Sequence, residues 1–186
     1  MAADKDRAAR AIEEFLAALG LDPRAGELAG TGARVADAFA DELCEGYAVD
    51  ARALLRAEAI SIPAKGPRQI VTLRDLTVTM TCPHHLMTGT GTATVAFAPR
   101  DAVVGVGALV RVVHAYARRL TLQETVGVEI VRAIDEVLRP SWVACRLVMT
   151  HGCMTARGER AHGARLDTLS TLGDDEAAAC AAVGIG

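Results

Sequence analysis

Cys82, His84 and His85 fall within four positions of one another, in the stretch "TMTCPHHLMTGTG" that runs from Thr79 to Gly91. Thiolate and imidazole are zinc ligands, and catalytic zinc sites commonly hold three protein side chains and leave a position for water. The C-x-x-H spacing of Cys82 and His85 supplies two ligands. Cys153, in "THGCMTARG", is the best candidate for a third, because the end of a strand followed by a glycine-containing turn suits a ligand. Cys44 lies on a predicted helix, Cys145 alternates inside a predicted strand, and Cys180 sits in an Ala-rich tail. The competing reading is a buried structural cysteine beside ordinary surface histidines, and spacing alone leaves both open.

His84 and His151 are candidate proton carriers, since a histidine next to a metal ligand but not itself ligating can move protons, and the competing reading for each is an ordinary hydrogen-bonded histidine. Adjacent residues usually point apart, so His84 and His85 should not share one role. Arg157 follows Cys153 by four residues, Arg111 falls on a predicted helix, and Arg34 on another. Each can hold phosphate, but taken alone each reads first as part of a solvated helix face. Glu124 stands in a T-x-x-E signature with Thr121, which reads as a helix capping box. The same carboxylate, with Gln123 beside it, can also meet the edge of a guanine ring. Taken from sequence, the cap is the favoured role.

The elements that must carry these groups follow from hydrophobic periodicity. Residues 5–19 and 32–45 read as helices, with Ala11, Phe15, Leu16 and Leu19 on one side of the first and Val35, Phe39 and Leu43 on the second. "LDPRAGELAG" reads as a loop, residues 50–68 give no clear pattern, and "IPAKGP" is turn material. From Gln69 the period becomes two, most clearly over 75–81, and "GTATVAF" makes an antiparallel partner. Helices are expected over 106–119 and from Thr121 to about Leu138, where Pro140 stops the second. "WVACRLVM" and "LDTLSTL" read as strands, and the tail from Asp174 as loose. The order is α+β, with helices packed on one face of an antiparallel sheet. The organisation expected is an N-terminal helical extension over 1–50 and a catalytic domain over 51–186.

Composition narrows the function classes. The chain has 186 residues and a formal net charge of −3, with no basic arm, so no nucleic-acid partner is expected. All twenty basic residues except Lys5 and Lys65 are arginine, the side chain suited to bidentate anion contacts. Five cysteines with no secretory leader argue against a disulfide scaffold, and no apolar run approaches a membrane span, so a cytoplasmic protein with reduced thiols is expected.

Together "TCPHHL", "VVGVGALVR", "LQE" and "HGCMTARG" resemble the GTP cyclohydrolase I family, from roughly Thr31 to Gly173. The resemblance implies the tunnelling fold: two helices on a four-stranded antiparallel sheet, subunits joined into rings, and two rings stacked, commonly as a decamer of two pentamers. Active sites would lie between subunits of this homo-oligomer. The implied reaction opens the imidazole ring of GTP, releases C8 as formate and yields 7,8-dihydroneopterin triphosphate, a step in pterin and folate biosynthesis. Carried over by position, Cys82, His85 and Cys153 are the zinc ligands, and His84 and His151 the proton-transfer histidines. Gln123 and Glu124 meet the guanine ring. Arg157 and Arg111 lie on the phosphate side, and Arg34 reaches a neighbouring subunit's phosphates.

Departures from the family pattern are specific. Pro83 stands where the family usually has Glu. The family's "GLSK" segment appears as Gly105, Val106, Gly107, Ala108, so the Ser and the triphosphate-binding Lys are both missing. Ala33 replaces the Pro of "TPxRV". Ring opening looks complete while the phosphate grip looks weakened, by about 1.5–3 kcal/mol for a lost charged hydrogen bond. Three readings follow: a zinc-dependent cyclohydrolase acting on GTP; a related one acting on another guanine nucleotide, a nucleoside or a modified purine; and a non-catalytic tunnelling-fold binding protein.

Overall fold

The computed structural model describes residues 3–63 and 69–185. The turn expected at "IPAKGP" lies largely outside these residues. Helix α1 (Lys5–Ala18) starts where the Asp4 carboxylate accepts from the Arg7 amide, at 2.9 Å. It packs against α2 (Thr31–Asp37), and no residue of α1 is buried. The loop between them contains a 3-10 turn over Gly26–Leu28.

The second helix does not run unbroken to residue 45 as its periodicity predicts. It widens into a π turn over Ala38–Leu43 and then tightens into a 3-10 turn over Glu45–Ala48. Beyond the π turn the chain docks on the end of the helix that follows β4: the Gly46 amide donates to the Arg118 carbonyl at 3.0 Å, and Glu45 pairs with Arg118. The segment without clear periodicity folds as α3 (Ala51–Glu58), capped by Asp50, followed by the short strand β1 (Ala59–Ser61). Leu55 of α3 is fully buried, worth roughly 1.5–3 kcal/mol. An eight-residue helix that buries only Ala51 and Leu55 is too short a pattern to read from sequence.

Strand β2 (Val71–Thr81) pairs antiparallel with β3 (Thr88–Phe97), with a bulge between Leu73 and Leu76 that places Asp75 at φ 53°. The bulge hides the true start of the strand, because alternation is regular only beyond it. After β3 come β4 (Ala102–Val104), which pairs with β1, then α4 (Val106–Ala117) and α5 (Gln123–Leu138). Strand β5 (Trp142–His151) leads directly into the single turn α6 (Gly152–Thr155), and β6 (Leu166–Gly173) completes the main sheet. The tail expected to be loose instead forms α7 (Glu176–Ala182). Asp175 caps it, and Ala179 and Val183 pack on Ala96, Trp142 and Ala144.

The main sheet has the order β2-β3-β5-β6, antiparallel throughout. Helices α4 and α5 cover one face. Val112, Val113, Ile130 and Ile134 meet Val78, Val95, Phe97 and Leu147 in one core. This is the α+β arrangement expected, a four-stranded antiparallel sheet with two packed helices and further helices before it. Its consequence for chemistry is that the β2–β3 turn, the end of β5 and the start of α5 come together at one end of the sheet.

Candidate active site

The hairpin turn between β2 and β3 is closed by its own backbone. The Cys82 amide donates to Met87 O at 3.0 Å, and the Leu86 amide to Cys82 O at 2.9 Å, with Leu86 at φ 53°. The "CPHH" run therefore occupies a tight turn anchored by two strands. Cys153 reaches it from α6. A Cβ on Gly152 would lie 2.9 Å from Thr88 O, so only glycine lets the two backbones approach this closely.

The result is a cluster in which one ligand atom each of Cys82, His85 and Cys153 lies within 4.8 Å of the others. Cys82 is buried, Cys153 half-buried and His85 exposed. Burial first, and then the adjacent Cys82 thiol, hold the Cys153 thiol above its ordinary range. Two thiolates this close repel each other, and a divalent cation between them relieves both the repulsion and the lost hydration. The donor set, two sulfurs and one imidazole, suits zinc. Cys145 and Cys44 take no part. Burial raises both thiols, that of Cys145 to about 12.

A cleft of about 270 Å³ opens beside the cluster. Cys82, His84, Gln123, Glu124, His151 and Cys153 supply its polar lining, and Met80, Leu122, Met154 and Leu166 its apolar walls. The rings of His84 and His85 stand 6.5 Å apart at 82°, so neighbours in sequence serve different places: His84 the cleft, His85 the cluster. A flat apolar wall with a few converging polar groups is how small aromatic ligands are usually held.

Glu124 is not a capping residue. Helix α5 begins at Gln123 with Leu122 as its N-cap and no side-chain cap bond. The Thr121 amide is bound to Thr81 O at 3.1 Å, and the Thr121 hydroxyl is nearest Leu122 O, at 3.4 Å. Residues 120–122 thus lie alongside the end of β2, as the parallel bridge Thr81–Leu120 records. This register moves the N-cap one residue along the T-x-x-E signature, from Thr121 to Leu122, and Glu124 lines the cleft.

Gln123 is 1% exposed and its side chain is fully engaged. Its Nε2 lies 2.9 Å from Leu147 O, 3.1 Å from Leu166 O and 3.0 Å from Thr168 Oγ1, and its Oε1 lies 2.8 Å from His151 Nε2. Leu166 and Thr168 on β6, and the carbonyl of Leu147 on β5, are site-supporting groups that sequence reasoning missed. The sequence holds no local signal for them, since Leu147 and Leu166 contribute backbone carbonyls and the Thr168 hydroxyl is brought in from forty-five residues away.

The three arginines are dispersed. Arg157 Nη1 lies 3.1 Å from His85 Nε2, at the rim of the cluster. Arg111 on α4 pairs with Glu58 and borders a different cavity. Arg34 on α2 folds back on its own helix start, toward Ala29 O, Glu27 O and Thr31 Oγ1. Ala108, in the first turn of α4, is 0% exposed, while Gly107 is exposed and a Cβ on it would lie 3.6 Å from Arg111 Nη1. Among the described residues no helix is long and apolar enough to cross a membrane.

The family model for GTP cyclohydrolase I matches residues 8–181. The chain is 37% identical to GTP cyclohydrolase 1 of Leifsonia xyli subsp. xyli over 92% of its length and 88% of that protein. It is 35% identical to GTP cyclohydrolase 1 of Leptospira biflexa serovar Patoc, over 87% of this chain and 86% of that one. Among solved structures it is similar to the archaeosine synthase QueF-Like in the apo form, at 18% identity and TM-score 0.47, over 60% of this chain and 99% of that chain.

Proposed function

The chain belongs to the GTP cyclohydrolase I family, a hydrolase acting on a cyclic amidine, and on that premise we propose the following reaction and residue roles. The protein converts GTP and water to 7,8-dihydroneopterin triphosphate and formate. The observation that carries this reading is the convergence of Cys82, His85 and Cys153 beside a cleft that also holds His84, His151 and Glu124.

Cys82, His85 and Cys153 hold zinc. When bound there, zinc supplies Lewis acidity that lowers the pKa of water near neutral pH. The protein's own groups do the rest. Glu124 accepts from the N1–H and amino group of the guanine edge, fixing the ring against Leu122, Met154 and Leu166. That contact is a charge-assisted pair in a partly dry site, stronger than the same pair in water. His84 and His151 move protons at the imidazole nitrogens and the ribose oxygen as water adds at C8, the ring opens and C8 leaves as formate. Arg157 sits at the rim on the phosphate side.

The cleft in one chain is slightly below the roughly 300–1,000 Å³ of typical small-molecule pockets. Arg111 and Arg34 lie outside it in the same chain. Both observations favour a site completed by a neighbouring subunit. Strands β2 and β6 each pair on one side only within the sheet, and Phe15, Leu19 and Leu21 expose apolar surface. These features support a ring homo-oligomer, proposed as a decamer of two pentamers, working in the cytoplasm.

The test is formate release from GTP by zinc-loaded protein, together with a fluorescent pterin after oxidation. Neither product from loaded protein would reject the reading. A second reading, a different guanine nucleotide, a nucleoside or a modified purine, is favoured by one observation. Ala108, where the resemblance expects the triphosphate-binding Lys, is wholly buried and carries no charge. Comparing GTP, GMP and guanosine separates the two. A steep preference for GTP removes the second reading, and equal turnover of guanosine removes the first.

A further inference from the structure

Residues 118–122 join the end of α4 to the start of α5, where Glu124 stands. The second half of this connection is tied to β2, through the Thr81–Leu120 bridge and the Thr121 amide on Thr81 O. The first half is tied to residues 45–49, some seventy positions earlier. The Gly46 amide donates to Arg118 O at 3.0 Å, Glu45 pairs with Arg118, and the Tyr47 hydroxyl lies 3.4 Å from Leu120 O.

Arg119 is the centre of this clamp. Its Nε lies 2.6 Å from Ala115 O and 3.2 Å from Gly46 O, and its Nη2 lies 3.4 Å from Val49 O. The guanidinium carbon is 5.0 Å from the centroid of the Tyr116 ring and 5.6 Å from that of Tyr47. A planar cation with forked donors can meet three carbonyls and two ring faces together, and a lysine ammonium cannot. The backbones are in direct contact beside it: a Cβ on Gly46 would lie 2.4 Å from Ala115 O and 2.7 Å from Arg118 O. None of Arg119, Gly46 and Tyr47 lines the cleft. Their effect on it passes along the chain, because a slip of one residue in 118–122 would turn Glu124 by about 100° around α5.

We propose that Arg119 is a positioning residue for Glu124: by fastening residues 46–49 to the end of α4, it fixes the path of the connection and so the direction in which α5 presents its carboxylate. The proposal rests on the reading of the cleft as the purine-opening site. It makes the segment before α3 part of the machinery that aims the base contact, although that segment is remote from the cleft in sequence and touches no substrate.

The experiment uses zinc-loaded protein and a double-mutant cycle. Arg119→Lys should keep its zinc and lower kcat/KM for GTP about tenfold or more. In the Glu124→Gln background the same change should cost less than about twofold, because the group it aims is already gone. Tyr47→Leu removes one ring from the guanidinium at a side chain 43% exposed, and should lower kcat/KM about two- to fivefold. It decides the matter if Arg119→Lys does not fold. Amide exchange at Thr121 should rise in both variants while exchange within β5 stays as in the wild type. A loss as large in Glu124→Gln as in the wild type overturns the proposal, and so do lower melting temperatures with kcat/KM retained. Failure of the wild type to open any purine would instead reject the reading of the cleft, and unchanged Thr121 exchange in both variants would still overturn the role of Arg119.

Discussion

Glu58, the last residue of α3, holds the guanidinium of Arg111 on α4 in an ion pair. Arg111 therefore already has an anionic partner before any substrate arrives. A phosphate group would have to displace that carboxylate. The two side chains are 52% and 42% exposed, so the pair contributes about 0–1 kcal/mol, and the exchange is within reach of a phosphate contact. Glu58→Gln is expected to lower KM for GTP by up to about fivefold, the equivalent of that energy, and to leave KM for guanosine unchanged. Arg111→Ala is expected to raise KM for GTP. If neither substitution shifts the GTP value, Arg111 has no part in holding phosphate.

Cys82, His85 and Cys153 sit at a hairpin turn and the first turn of α6, at the ends of elements and outside the main core. Cys153→Ser is therefore expected to keep its far-ultraviolet dichroism while losing bound zinc and formate release together. Cys180→Ser, on α7, should keep both. Zinc content measured by elemental analysis after gel filtration checks this. A Cys153→Ser protein that retains full zinc and activity would remove it from the ligand set. Chelation followed by zinc return should abolish and then restore turnover of the wild type.

A capping box and a substrate contact make opposite demands on Glu124. A cap residue replaced by a non-capping one costs about 0.5–2 kcal/mol of stability. The structure gives the Glu124 side chain no capping bond. Glu124→Gln is therefore expected to melt at the wild-type temperature while kcat/KM for GTP drops about ten- to a hundredfold, the loss of a charged hydrogen bond. A lower melting temperature with activity retained would return Glu124 to the cap.

Local signals in the sequence carried well where the chemistry is local. The C-x-x-H pair is close in sequence because one hairpin turn holds both ligands, and alternation through Met80 announced the strand that delivers Cys82. Taken from the sequence pattern alone Glu124 reads first as a cap, because T-x-x-E is a valid capping pattern on its own. What defeats it is a hydrogen bond from Thr121 to Thr81, forty residues earlier. Gln123 was open to the same error. Two of its partners are carbonyls of β5 and β6, which no residue type announces, and Thr168 and His151 are far away in sequence. The unbroken second helix failed for a similar reason, since the pull on Gly46 comes from Arg118 at the far end of α4. Each miss is a tertiary backbone contact overriding a sound local pattern.

Arg146 on β5 ties the C-terminal helix to the sheet. It donates to Asp167 on β6 at 2.6 and 3.0 Å, and to the carbonyls of Val183 and Gly184, just beyond α7, at 3.3 and 3.0 Å. The hydrogen bond from Arg146 holds the Asp167 carboxyl below its ordinary range. A carboxyl whose folded pKa is depressed contributes stability above its unfolded value, about 3.9, and that stability is lost as pH falls through the folded value. Protonation there weakens the hold on Arg146 without touching the core under α4 and α5. In acid, below about pH 4, amide exchange over residues 176–185 should therefore rise before exchange in α5 does. Arg146→Ala should produce the same local opening at neutral pH, and Asp167→Asn should remove its acid dependence. Exchange that rises together in α5 and α7 in every variant would mean that the helix is held by Ala179 and Val183 alone.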